Sequence, residues 1–435
     1  MCTDEFFALA KAEANGWGLP GLPILAVPHP LAKRTDEECG EFAADLIGEV
    51  VDALTQDARR LETVHRQRLV PPGQRRYHSL FESDFNAPDG PDIASMPDSL
   101  TAFERVAHQR GWTDGLPVIP PTSERVDAML GDRSAQSLIA IVEPRLGRAT
   151  AHKLAANAVM AGCDPAHFPL VMAATRAMCD PVFNLKSLQS TTHPCTVMVL
   201  VAGPIVTSLG INASYNAMGQ GVLANAAIGR AIRLILMNIG GASPGVLDRS
   251  TMGSPAKFSF CFAENLAASP WASWHVDNGM DADTDFVTVC GVEGPHNVND
   301  HYGRTGREIL LTIAGTLASP GANNFYLEGE PVVVLGPEHA EVIARDGFSR
   351  ADVCAFLSEH AIVPAALVSP AMMEVMTERM PHHVLGGNGD GSGSDIRFIT
   401  EPDDLMVLVA GGAGRHSAVI PTFGHATRAV TVPIE

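Results

Sequence analysis

Short segments that are apolar at nearly every position constrain the fold of this chain more than any other feature. Residues 196–202 predict a strand that is apolar on both faces, as in a sheet covered by helices. Residues 331–335 and 404–410 predict further strands, and 222–239 predicts an almost wholly apolar, central helix. Because strands and helices alternate, we predict an α/β or α+β fold, with a layered mixed sheet and covering helices.

Charge and composition exclude several classes of partner. The 435 residues include 30 Lys and Arg against 49 Asp and Glu, a formal net charge of -19. Such a field repels nucleic acid and anionic membranes, so neither is an expected partner. Arg230 and Arg233 interrupt the apolar stretch 222–239, which therefore does not read as a membrane-spanning helix. Eight cysteines without a Cys-x-x-Cys pair indicate reduced thiols, so we predict a cytoplasmic protein.

Changes in composition divide the chain into three predicted parts. Residues 1–56 read as a small α/β unit that has too few elements to enclose a core alone. Residues 57–97 are polar and rich in turn residues, which predicts an extended arm or linker over the surface. Residues 98–435 contain the alternating strands and helices and form the predicted main α/β domain.

The first part has recognisable local signals. A helix is predicted over 6–14 and a buried strand over 22–27. A second helix is predicted to begin after Thr35, because Glu38 can complete a capping box with it. Apolar residues then recur every four positions, as an amphipathic helix requires; they are Phe42, Leu46, Val50 and Leu54.

The same part resembles a known family. Residues 2–10 and 19–31, which include Pro28-His29-Pro30, resemble the later half of the UGSC-motif proteins. These are bacterial proteins that contain selenocysteine or cysteine, and the resemblance implies thiol or selenol chemistry. The family's namesake element, selenocysteine or cysteine followed by Gly-Ser-Cys, lies upstream of the matching part. We therefore expect this chain to begin within a domain, and no catalytic residue of the family carries over. The rest resembles uncharacterised bacterial proteins.

A cysteine and a histidine beside the strand 196–202 are the first candidates for catalysis. His193 and Cys195 are two residues apart in an extended segment, so both side chains point to the same side. An adjacent imidazolium lowers the pKa of a thiol, which predicts Cys195 as nucleophile or redox thiol and His193 as its base. The alternative is a buried structural cysteine beside a histidine that caps a turn.

A carboxylate at the end of an aromatic strand is the third candidate. The segment 258–263 alternates, which places Glu264 in phase with buried phenylalanines at the edge of a core. Burial raises the pKa of a carboxyl group, so Glu264 is predicted as a second acid or base. An ion pair with a cation such as Lys257 is the alternative. Trp271, shortly afterwards, either lines a pocket or packs in the core.

Two arginines on the apolar helix point to an anion. Arg230 and Arg233 share one helix face, and buried arginines must pair with carboxylates or bind an anionic ligand. Polar residues precede the helix, whose N-terminus can also hold an anion. The predicted substrate-binding set is Arg230, Asn212, Asn216, Lys257 and Trp271.

A metal site is the alternative to thiol chemistry. His275, His296 and His301 follow predicted strands at spacings that suit metal ligands in loops. The loop 388–395 imitates a calcium loop but lacks its final glutamate, so we predict a flexible loop. The glycines of 411–414 can form an anion-binding backbone nest, although they match no nucleotide fingerprint. The cofactor is thus unknown: no nucleotide is expected, and a divalent metal is the alternative.

These residues support three functional hypotheses. The favoured one is a subunit of an enzyme that acts on a small anionic molecule by thiol-based redox or nucleophilic chemistry. The second replaces the thiol by a metal on the histidine cluster, giving a hydrolase or lyase. The third is a non-catalytic scaffold subunit that positions a partner's reactive cysteine.

A second protein subunit is the remaining prediction. The segment 22–27 is apolar on both faces and suits the interior of a sheet. Unpaired, it would leave two open edges and expose Ile24, Leu25 and Val27. We therefore expect another polypeptide to complete the N-terminal domain in a hetero-oligomer, with 57–97 wrapped around the joint.

Overall fold

Strands and helices alternate along most of the chain, in agreement with the sequence pattern. The computed structural model describes residues 1–31, 34–67, 96, 98–386, 394–424 and 426–435. Its strands are β1 Cys2–Thr3, β2 Ala26–Val27, β3 Leu138–Val142, β4 Gly147–Thr150, β5 Thr196–Ala202, β6 Cys261–Ala263, β7 Phe286–Val292, β8 His296–Asn299, β9 Val332–Leu335, β10 Ile362–Val363, β11 Val384–Leu385, β12 Asp395–Arg397, β13 Met406–Val409, β14 His416–Ile420 and β15 Val430–Pro433.

Helices lie between most of these strands. They are α1 Phe7–Gly16, α2 Asp36–Thr55, α3 Ala58–Arg66, α4 Leu100–Gln109, α5 Ser123–Leu130, α6 Ala151–Ala161, α7 Phe168–Met178, α8 Leu185–Gln189, α9 Ile205–Ser208, α10 Leu223–Asn238, α11 Trp274–Asp277, α12 Gly306–Leu317, α13 Asn323–Leu327, α14 Pro337–Arg345, α15 Arg350–His360 and α16 Pro370–Arg379. Among the described residues, no helix combines the length and hydropathy needed to cross a membrane.

Two mixed four-stranded sheets form the centre of the protein. The first has the strand order β15-β7-β5-β6, in which only the β5–β6 pair is parallel. The second has the order β13-β9-β14-β8, in which only the β13–β9 pair is parallel. Mixed strand directions within layered sheets confirm the predicted fold class.

The two sheets pack face to face and helices cover their outer faces. Met198 and Leu200 of β5 point toward the second sheet, whereas Val199 points toward the helices. Val334 and Val333 of β9 alternate in the same way. Each central strand is therefore buried on both faces, which explains why it is apolar at successive positions.

Local signals set several element boundaries as predicted. Thr35 and Glu38 form both hydrogen bonds of the capping box at α2. The predicted helix 222–239 is α10, with the terminal residues of that range as its caps. The aromatic strand is shorter than predicted: β6 begins at Cys261, and Phe258 lies in a turn with 47% of its surface exposed.

The strand of the N-terminal unit is paired along one edge, where the sequence predicts two unpaired edges. Only Ala26–Val27 is extended, and it pairs in parallel with β1. Ile24, Leu25 and Val27 are buried, the first of them against Phe7 of α1. The prediction that these side chains are exposed is therefore wrong, since all three are buried within the same chain.

The predicted arm 57–97 begins as a helix, not as an extended segment. Helix α3 is capped by Asp57 and packs closely against Gly21. Residues 68–95 and 97 of the arm, and residues 387–393 of the predicted calcium-like loop, lie outside the described residues.

Candidate functional site

The predicted catalytic cysteine lies in the core. Cys195 directly precedes β5, is 1% exposed and donates its thiol hydrogen to the Leu188 carbonyl at 3.4 Å. Burial raises the pKa of this thiol to about 12. The predicted lowering of its pKa by His193 is wrong, since the thiol is buried and, within the described part of the chain, no imidazole hydrogen-bonds to it.

Partial or complete burial affects most of the other thiols in the same direction, and Cys261 and Cys290 are fully buried. Burial also raises the pKa of five further cysteines: Cys163, Cys179, Cys261, Cys290 and Cys354. A thiol is an effective nucleophile only as its thiolate. These positions therefore favour the structural interpretation, and nothing in their geometry supports thiol chemistry.

His193 pairs with a carboxylate and not with the cysteine. Its Nε2 lies 2.8 Å from Oε1 of Glu293, and the imidazole also lies beside the Phe423 ring. Glu293 in turn accepts a hydrogen bond from the Asn323 backbone N–H at 3.3 Å. The pair connects the loop before β5 to the end of β7.

The cations of the predicted substrate site are already paired within the chain. Arg230 makes a two-pronged ion pair with Asp114, with both N–O distances at 2.8 Å. Lys257 contacts both carboxylate oxygens of Asp248, at 2.7 and 2.8 Å. Arg233 is buried and donates to the Thr196 hydroxyl at 2.9 Å. The structure therefore contradicts Arg230 and Lys257 as free anion-binding groups.

Glu264 is buried as its phase in the strand predicts, and its partner is Arg350. The carboxylate lies 3.2 Å from the guanidinium and accepts hydrogen bonds from the Val409 and Trp274 backbone N–H groups, at 3.2 and 2.5 Å. Burial raises the pKa of Glu264, although these contacts oppose that shift. The Trp271 ring lies against Arg350 and packs on the core between the second sheet and its helices, and it is not among the residues that line the cleft described below.

The three histidines of the predicted metal site do not meet. His275 is buried, hydrogen-bonds through Nε2 to the Thr288 hydroxyl, and burial lowers its pKa to about 4. His296 is exposed on β8. His301 lies beside His416, with 3.3 Å between their Nε2 atoms. These separate environments contradict the predicted set.

Three other segments that the sequence singles out do converge, and they line a cleft of about 470 Å³. They are the polar residues 212–216, the loop after Glu264 and the glycine-rich segment 411–414. The strands β6, β9 and β13 all end at this cleft, at Glu264, Gly336 and Ala410. The ends of parallel strands are the usual ligand position in layered α/β folds. Among its lining residues are Ser214, Tyr215, Asn265, Ser269, Glu338, Glu341 and Gly412.

Backbone hydrogen bonds hold these loops together. The Gly411 N–H donates to the Ala213 carbonyl at 2.9 Å, and the Asn265 side chain donates to the Gly411 carbonyl at 2.9 Å. Tyr215 lies directly over Gly412, where a Cβ atom would come within 2.1 Å of the ring. Only glycine therefore permits this packing.

The two predicted asparagines lie next to the cleft and are not among its lining residues. Asn212 accepts from the Ser214 N–H and donates to the Tyr215 carbonyl, each within 2.9 Å. Asn216 is exposed in the next turn, with a positive φ of 58°. Asn212 therefore positions Ser214 and Tyr215, which line the cleft. The position of Asn216 does not support a contact with a ligand.

Two carboxylates of the cleft were missed in the sequence. Glu338 and Glu341 are three residues apart on α14, so they share one face, and Glu338 is half-buried. Neither has a hydrogen-bond or ion-pair partner among the described residues. A helix with proline at its first position directly after a buried strand was the available signal, since such a helix begins at the sheet edge.

Comparison with known proteins concerns the N-terminal part. Residues 1–56 match the model of the UGSC family. No curated protein and no solved structure matches the chain. A UGSC-like segment is therefore present.

This UGSC-like segment packs on the main domain. Glu5 forms an ion pair with Arg249, and Glu13 forms one with Lys186 at 2.6 Å. The Trp17 ring lies near the same Lys186 ammonium group. These contacts place the segment beside helix α8 and the loop that carries Arg249.

Proposed function

We propose that this chain is an enzyme subunit that binds a small, polar, amine-bearing molecule in the cleft, with the ammonium group of the ligand between Glu338 and Glu341. The observation that carries the proposal is the pair Glu338 and Glu341. Two neighbouring carboxylates without a cation favour a positively charged group between them.

Further groups of the cleft can orient such a ligand. The Ser214 hydroxyl and the Asn265 side-chain oxygen have no partner among the described residues and can bind polar groups of the ligand. The volume of about 470 Å³ lies within the range of small-molecule sites. All eight cysteines lie in the described ranges and none forms a disulfide, which supports a reducing compartment such as the cytoplasm.

Binding of matched ligands tests this site. We expect amino acids and polyamines to include a compound that raises the melting temperature, whereas its N-acetylated analogue does not. Glu338→Gln should weaken binding at least about tenfold, because the neutral amide cannot pair with an ammonium group. Isothermal titration calorimetry measures the change.

The control is Glu374→Gln on α16, which makes the same change at an exposed position. It should leave binding unchanged. Gly412→Ala, which displaces the Tyr215 ring, should weaken binding without altering the core. If Glu338→Gln binds as the unchanged protein does, or if the acetylated analogue binds equally well, the proposed function is wrong.

We also propose that α2 binds a second, different subunit. Its side chains Ile47, Val51 and Leu54 form an apolar stripe along one face and are 61%, 49% and 81% exposed. By contrast, Phe42, Leu46 and Val50 of the predicted stripe are half-buried. An exposed apolar stripe of this kind marks a protein interface. The helix also carries seven acidic residues and no basic one, so two copies would bring like charges together. A partner helix with an apolar face and basic flanks fits best.

Co-expression with the protein of the adjacent reading frame tests this interface. We expect one defined complex by size-exclusion chromatography with light scattering, and Leu54→Lys should abolish it because a charge enters the apolar stripe. Leu367→Lys changes a comparably exposed leucine, 63% exposed, elsewhere and should leave the complex intact. Self-association that Leu54→Lys abolishes would instead identify a second copy as the occupant.

A further inference from the structure

A cluster of one carboxylate and two imidazoles lies at the opposite end of β9 from the cleft. Oε1 of Glu328 lies 2.7 Å from Nε2 of His382 and 3.0 Å from Nε2 of His383. One potential ligand atom from each residue falls within 4.8 Å of the others. We propose that this cluster binds a divalent transition-metal ion of the zinc class.

The backbone holds Glu328 in an unfavourable conformation at this position. It follows α13 with φ 55° and ψ -145°, a region that side chains other than glycine rarely adopt. The buried Asn324 donates to the Glu328 carbonyl at 2.6 Å and to the Thr422 hydroxyl at 2.8 Å. Strain that the surroundings maintain is typical of functional positions.

His383 is oriented as a metal-binding histidine is. It is 2% exposed, and its Nδ1 lies 2.6 Å from the Arg397 carbonyl. A carbonyl only accepts, so Nδ1 carries the hydrogen. The other ring nitrogen, Nε2, lies 3.0 Å from Oε1 of Glu328, so a nitrogen and a carboxylate oxygen face the same point. A cation can be bound there, and a carbonyl behind the ring is the usual support of such a ligand.

Distances and ligand chemistry select the type of ion. Tetrahedral zinc with bonds of about 2.0–2.1 Å separates its ligand atoms by about 3.3 Å, so each imidazole needs to move away from the carboxylate oxygen by only a few tenths of an ångström. Imidazole and carboxylate together suit Zn²⁺, Co²⁺ or Ni²⁺, whereas Mg²⁺ and Ca²⁺ prefer oxygen alone. Glu328 and His382 are about half exposed, which leaves a coordination position open to solvent.

Titration with metal ions tests the site in the full chain. We expect Zn²⁺ to bind by calorimetry and Co²⁺ to give the visible absorption of a tetrahedral complex. Glu328→Gln and His382→Ala should each weaken binding at least about tenfold. Both residues are half exposed, so the variants should fold, and metal-free circular dichroism checks this.

His416→Ala is the control because it removes the other imidazole pair, formed with His301. The variant should retain the tight Zn²⁺ site and the Co²⁺ spectrum. If Glu328→Gln and His382→Ala bind as tightly as the unchanged protein, or if His416→Ala abolishes binding, the proposed site is wrong. The cleft and this cluster lie at opposite ends of β9, so either proposal can fail alone.

Discussion

Replacing Arg350 by methionine should lower the free energy of unfolding by about 3–5 kcal/mol, which is among the largest single-site effects we expect. The guanidinium contacts Glu264 at 3.2 Å and Asp277 at 2.7 Å, and it donates to the Val407 and Ala272 carbonyls. Methionine has a similar length but leaves the Glu264 carboxylate buried without its countercharge. Desolvation of that unpaired charge dominates the cost.

Two comparisons isolate the ion pair from general packing. Adding Glu264→Gln to Arg350→Met removes the unpaired charge, so the double variant should recover part of the loss. Arg345→Met removes an exposed ion pair with Asp346 and should cost at most about 1 kcal/mol. Urea unfolding midpoints measure all three variants. If Arg350→Met costs no more than Arg345→Met, the buried pair does not stabilise the fold.

Elements defined by local signals agree best with the sequence. The capping box at Thr35, the helix α10 and the strand β5 depend on hydrogen bonds or apolar patterns within a few residues. Phe258 was placed wrongly because an alternating pattern does not show where the strand begins. The pairing of Ala26–Val27 was missed because the partner strand β1 is only two residues long, and the burial of Ile24 was missed because its contact Phe7 lies in a different element.

Sites depend on contacts between distant residues, and these were predicted less well. Glu264 was correctly placed at a core edge, yet Arg350 lies 86 residues further along the chain. Glu328 and His382 are likewise 54 residues apart. The loops of the cleft were each recognised, because polar and glycine-rich segments at strand ends have a local signature. Their meeting follows from the order of the strands in two sheets, which local patterns do not give.

Arg230 shows how the fold decides between a ligand and an internal partner. Its guanidinium faces Asp114, whose side chain is only 3% exposed. It also donates to the Pro117 carbonyl at 2.8 Å and so fixes the turn that contains Gly115, where φ is 95°. The Nε and Nη2 groups of Arg230, which form this edge of the guanidinium, are therefore already hydrogen-bonded within the chain.

Arg230→Met should consequently lower the free energy of unfolding by about 3 kcal/mol, because Asp114 is left buried and unpaired. Arg230→Lys should recover little of the loss, since a single ammonium group cannot make the two-pronged contact. Asp114→Asn retains the shape of the turn without its charge, and in combination with Arg230→Met it should recover stability.

Thermal melts in phosphate and in chloride at equal ionic strength measure these variants and test for a bound anion. We expect no stabilisation by phosphate that depends on Arg230. If phosphate raises the melting temperature of the unchanged protein and Arg230→Met erases that rise without destabilising the fold, Arg230 binds a ligand, and the ion pair seen here opens to admit it.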